Sequence, residues 1–117
     1  MPRSTSPDLG LSAIAAWNDG AATRQQLASA TRYTLELLEH QAPGHSVEVR
    51  VPPFGAVQVV EGPRHTRGTP PNVIETDADT WLQLVTGQLT WADALMSAKI
   101  TASGERCDLI NNYLPLL

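Results

Sequence analysis

Residues 72–104 read NVIETDADTWLQLVTGQLTWADALMSAKITASG, and the period of their apolar residues changes twice. The opening NVIET is short and β-branched, a strand with Val73 or Ile74 turned inward. Asp77 then stands where a helix N-cap is wanted, ahead of the helix in ADTWLQLVT, and Gly87 sits at the left-handed C′ position after it. Thr90 with Asp93 three residues on resembles a capping box and starts a second short helix, WADALM. Beyond Met96, Ile100 and Ala102 alternate with Lys99, Thr101 and Ser103, which predicts a last strand. Strand, two helices and strand in so short a span place the chain among mixed α and β folds.

Working toward the N-terminus, SVEVRVPPFGAVQVVEG (46–62) has period two. Val47, Val49 and Val51 face one way and Glu48 and Arg50 the other, while Val57 and Val59 alternate with Gln58. PPFG between the two runs is turn material, since two prolines cannot donate to a ladder, so the pair predicts a hairpin. Upstream, Leu27, Ala30, Thr34, Leu37 and Leu38 form one stripe at helical spacing, ended by Pro43 and Gly44. Leu11, Ile14 and Ala15 mark a brief helix before it. At the other end, Leu109, Ile110, Tyr113 and Leu114 fit a short helix before Pro115. The expected order is α-α-β-β-β-α-α-β-α. Strands apolar on one face only suit an α+β two-layer domain: a small, mostly antiparallel sheet with helices packed on one face. Residues 1–8, rich in Ser and Pro, are expected to be a disordered lead-in, and 9–117 a single domain.

A chain of 117 residues supports one core. Its 42% hydrophobic and 17% charged residues exclude a disordered protein. A net charge of −4 argues against nucleic acid as a partner, because phosphate contacts need a basic surface. No apolar run reaches the roughly 18 residues of a membrane span, so stable membrane insertion is not expected. One cysteine and no signal-peptide pattern point to a cytoplasmic protein.

Trp81 and Trp91, with Leu84, Val85, Leu89, Leu95 and Met96, admit two readings: a packed core, or the apolar wall of a ligand cavity. PRHTR (63–67) is the basic cluster. Arg64, His65 and Arg67 could hold an anionic headgroup by charge-assisted hydrogen bonds, or the arginines could pair with Glu75, Asp77 or Asp79 at the surface. His40, His45 and His65 lack zinc-site spacing, so no metal is expected. Cys107, between Arg106 and Asp108, reads either as an activated nucleophile or as a small buried hydrophobe. No phosphate loop, nucleophile elbow or dinucleotide fingerprint occurs, and neither a cofactor nor a catalytic residue is expected.

Residues 72–104 resemble the C-terminal half of the sterol carrier protein 2 family, with Leu84, Thr86 and Gly87 at its helix break and Ile100, Ser103 and Gly104 at its strand exit. GPRHTRGTPPNVIETD also resembles small bacterial sterol-carrier-like proteins. The resemblance implies a sheet of five or slightly fewer strands under helices, with an apolar tunnel for lipids or fatty acyl chains between the layers. Ala98 stands where that family usually has a glycine, and the strands between 46 and 61 are shorter than its usual meander. The expectation is a non-enzymatic carrier for a fatty acyl or other lipid-like small molecule. A cavity-less module of the same fold, contacting a protein partner or forming a homo-dimer, is the alternative.

Overall fold

The computed structural model describes residues 4–62 and 71–117. Helix α1 (Pro7–Asn18) starts behind Ser6, whose side chain accepts a hydrogen bond from the Leu9 N–H. Pro7 and Asp8 therefore lie inside α1, within the stretch read as a lead-in. Just ahead of them, the Thr5 N–H donates to the Glu36 carboxylate at 2.8 Å. Helix α2 (Arg24–Gln41) opens on a full capping box between Thr23 and Gln26, a signal written in the sequence as Thr and Gln three residues apart.

Among the described residues four strands follow in the order expected: β1 (Val47–Val51), β2 (Gly55–Val59), β3 (Asn72–Thr76) and, after the helices, β4 (Ile100–Ser103). They form one sheet in the order β2-β1-β3-β4. The hairpin β1–β2 is antiparallel and so is β3–β4, but β1 and β3 run parallel, with Val49 beside Ile74. The sheet is thus mixed, which corrects the expectation of a mostly antiparallel one. The reason is where the chain emerges from the hairpin. Val59 lies opposite Val47, and Asn72 pairs with Val47 from the other side. β2 thus ends and β3 begins beside the same end of β1, and β3 leaves in β1's own direction.

One sheet face is apolar and the other polar. Val47, Val49, Val51, Val59, Ile74 and Ile100 are buried and join the core with Leu35 and Leu38 of α2. On the opposite face Glu48 pairs with Arg50, and Gln58, Glu75 and Thr101 stand nearby. Within α2 the buried set is wider than one stripe: Ala28, Ser29, Ala30, Thr31, Thr34, Leu35 and Leu38. Helix α2 is the middle layer, packed on α1, α3 and β2, so it buries flanks that a helix with a single buried face would expose. Leu35 is accordingly in the core, whereas Leu37 of the expected stripe is half-buried.

Helix α3 (Ala78–Val85) is capped by Asp77, which accepts from the Thr80 N–H at 2.7 Å. It ends with Gly87 N–H on the Leu84 carbonyl and Gln88 N–H on that of Gln83, and Gly87 has φ of 78°. Helix α4 (Trp91–Met96) ends in the same pattern, with Ala98 N–H on Leu95 and Lys99 N–H on Ala94. Here the left-handed residue is Ala98, at φ of 57°. Its Cβ crowds the following carbonyl, a strain of about 1 kcal/mol that glycine escapes. Ala98→Gly is expected to raise unfolding stability by up to about 1 kcal/mol, read as a higher urea midpoint at unchanged slope. A lower midpoint would mean that this turn is not held in the left-handed form. The chain closes with a 3₁₀ helix (Cys107–Tyr113), after which the Leu116 and Leu117 N–H groups both donate to the Val85 carbonyl.

Candidate functional site

The three indoles each donate to a chosen acceptor. Trp81 Nε1–H donates to Thr34 Oγ1 at 2.8 Å, a buried bond that ties α3 to α2. Thr34 in turn donates to the Ala30 carbonyl one turn back. Trp91 donates to Asp108 and Trp17 to Asp79, both at 2.9 Å. With its N–H satisfied and its ring only 1% exposed, Trp81 sits in the core beside Leu82, Leu84 and Val85.

The residues proposed as an apolar wall divide. Trp81, Leu84, Val85 and Trp91 are buried together, and Leu89 packs half-buried at their border. Leu95 is 39% and Met96 86% exposed, on the outer side of α4. Helix α4 has only six residues, so Trp91 and Ala94 anchor its inner side and its last turn faces water. The headgroup cluster Arg64, His65 and Arg67 falls outside the described residues.

A groove opens elsewhere, between α2 and the hairpin. Its volume is about 250 Å³. On one side α2 contributes Arg32, Leu35, Glu36 and Glu39, whose spacing of three and four puts them on one helix face. The other side is the continuous run Phe54, Gly55, Ala56 and Val57, the end of the turn and the first half of β2. Leu35 is the buried floor, Phe54 and Val57 are half-buried walls, and the charged ends of Arg32, Glu36 and Glu39 make the rim. The Arg24 guanidinium lies 5.4 Å from the centre of the Phe54 ring, a cation–π contact that holds the ring beside the start of α2.

The sequence reading missed this groove because neither side announces it. PPFG announces only a turn, and Leu35 lies off the stripe of Leu27, Ala30, Thr34, Leu37 and Leu38. Two signals were available: Phe54 is the chain's only phenylalanine, placed at a turn where solvent would otherwise meet it, and Leu35 sits beside three charged residues at helical spacing. That both sides meet is a tertiary fact.

Cys107 is buried, with Sγ 3.2 Å from the Ser103 carbonyl and 3.6 Å from that of Val73. Burial pushes its pKa up, and the neighbouring Asp108 adds to the rise. This is the opposite of an activated thiolate. A raised folded-state pKa gives stability that is full below the unfolded thiol's value, about 8.5, and is lost as pH climbs toward the folded value. The native chain is therefore expected to lose more stability as pH rises from 8 to 10 than a Cys107→Ala variant does in parallel urea titrations. Equal slopes would place the thiol in water. Among the described residues no group of His, Cys, Asp and Glu could hold a metal ion, and no helix is long and apolar enough to cross a membrane.

A family model described as bacterial SCP ortholog matches residues 23–116, which takes in α2, all four strands and the groove. No curated protein matches the sequence.

Proposed function

The chain belongs to the bacterial SCP ortholog family, and from that premise we propose that it is a non-enzymatic carrier domain for a fatty acyl or other lipid-like ligand held against α2 and the hairpin. The observation that carries the reading is the groove's make-up, an apolar floor of Leu35 and apolar walls of Phe54 and Val57 under a charged rim. Sites for amphipathic small molecules combine these parts: apolar area supplies most of the binding free energy, and a few polar groups orient the ligand. In this reading the packed Trp81, Leu84, Val85 and Trp91, with Leu89 at their border, are the rigid backing that holds α2 and α3 in place. The exposed Leu95 and Met96 offer apolar surface outside it. Arg64, His65 and Arg67, which follow β2 in the chain, are proposed as partners for an anionic headgroup.

The test is native mass spectrometry of protein purified from cells, followed by titration with straight-chain fatty acids of eight to twelve carbons. An aliphatic adduct, or binding below about 1 mM, supports carriage. Phe54→Ala is expected to weaken that binding about tenfold, the equivalent of roughly 1.4 kcal/mol of lost apolar contact, while the thermal midpoint moves little. A bare protein mass with no response to added fatty acid sinks the proposal. A second reading, a protein-interaction module, is favoured by one feature of the same groove: one of its walls is the backbone of an outer strand.

A further inference from the structure

Among the described residues, the sheet order β2-β1-β3-β4 leaves β2 with a partner strand on one side only. On its other side, half of its N–H and C=O groups point away from the sheet, as in any edge strand, and such a row is a template for another extended chain. The groove runs along this edge, lined by four consecutive residues from Phe54 to Val57. Helix α2 forms the far wall and runs in the same sense as β2. A Cβ placed on Gly55 would lie 3.3 Å from Leu35 and 3.9 Å from Arg32, whereas at the other end the Val60 N–H donates to the Ala42 carbonyl at 2.8 Å.

Charge is ordered along the same line. Arg32 lies at the Gly55 end, and Glu39, two turns further along α2, lies toward the Val59 end. Glu36 between them is engaged by the Thr5 N–H. Among the described residues Arg32 and Glu39 have no ion-pair partner. A helix beside an open strand edge, with an apolar floor and opposite charges at its ends, is the arrangement by which folded domains take up a peptide as an added strand: main-chain bonds give affinity and the pockets choose side chains.

We propose that an extended segment of a partner protein adds to β2 as a fifth strand, antiparallel to it, with a basic side chain against Glu39, an apolar one over Leu35 and Phe54, and an acidic one against Arg32. This rests on the second reading above and concerns the same groove, so a bound segment and a bound acyl chain exclude each other. Antiparallel pairing is chosen because it is the more stable per residue. Since strand side chains alternate, the three recognition positions are every second residue of the segment.

The probe is the capped heptapeptide TKTLTET, titrated into isotope-labelled protein to about 5 mM, a range suited to a short peptide of millimolar affinity. The expected result is amide shift changes and slowed hydrogen exchange confined to 54–59 and to the facing turns of α2. The reversed-charge peptide TETLTKT is expected to bind about fivefold more weakly, the sum of two exposed ion pairs. The preference should invert in the double variant Arg32→Glu/Glu39→Lys, whose substitutions are at the surface. No response, shifts elsewhere, or equal affinity for both peptides would overturn the proposal. So would concentration-dependent dimerisation through the same amides without peptide, which assigns the edge to a second copy of the chain. Fatty acid binding is measured on the same samples. Its persistence without peptide binding removes strand addition alone, and the reverse removes the carrier reading alone.

Discussion

Replacing Trp81 with alanine is expected to cost about 4 kcal/mol of unfolding stability and to lower the thermal midpoint by roughly 15 °C. Trp81 is 1% exposed and is the largest of the fully buried side chains. Truncation would leave a void in the core that close packing cannot fill by small movements. It would also remove the indole bond to Thr34 that ties α3 to α2. A domain of this size has about 5–15 kcal/mol in total, so the loss is a large share of its stability. Trp81→Phe separates the two contributions, since it keeps most of the volume and loses only the N–H; a cost of about 1–2 kcal/mol is expected for it. Had Trp81 lined an open cavity, its truncation would enlarge a space already present and cost far less. A loss under about 1.5 kcal/mol for Trp81→Ala would thus favour the cavity-wall reading.

The second large effect is expected at Gly44, where α2 turns into β1. Its φ is 147°, and a Cβ there would lie 2.2 Å from the Val60 carbonyl oxygen. That oxygen accepts both the Ser46 N–H, at 3.0 Å, and the Ser46 hydroxyl, at 2.7 Å. Val60 is itself in the left-handed region at φ of 68°, so it has little freedom to withdraw. Gly44→Ala must therefore either break the two Ser46 bonds or move the exit of β2, at a cost of about 3 kcal/mol from backbone strain and lost hydrogen bonds together. Gly20→Ala is the control. Gly20 has φ of 74° with nothing within 4 Å of an added Cβ, so it should cost about 1 kcal/mol from conformation alone. Urea titrations of both variants give the comparison, and equal costs would show that Val60 does not press on the turn.

The element order was legible because it depends on neighbours in sequence. Alternation in 47–51 and 57–59, the caps at Asp77 and Thr90, and the stop at Gly87 are local signals whose physics involves only a few adjacent residues. The resemblance at 72–104 lies within the 23–116 match for the same reason: its glycine and its caps do local work. The parallel register of β3 was not legible, because alternation reports which face a residue occupies and says nothing of which strand lies beside it. The burial of Leu35 was hidden likewise, since a stripe describes one buried face and α2 has neighbours on three sides.

Residue types and their spacing determined by themselves that this chain forms an α+β domain with a one-sided sheet and short capped helices. Propensity, capping and periodicity act within a turn or two, so a single strand of text contains them. Only the tertiary structure decided that Trp81 and Trp91 are buried in the core, that β3 runs parallel to β1, and that a groove opens between α2 and the edge of β2. Each of these depends on surfaces more than a dozen residues apart meeting in space, and packing between such surfaces is set by shape and volume that no local pattern encodes.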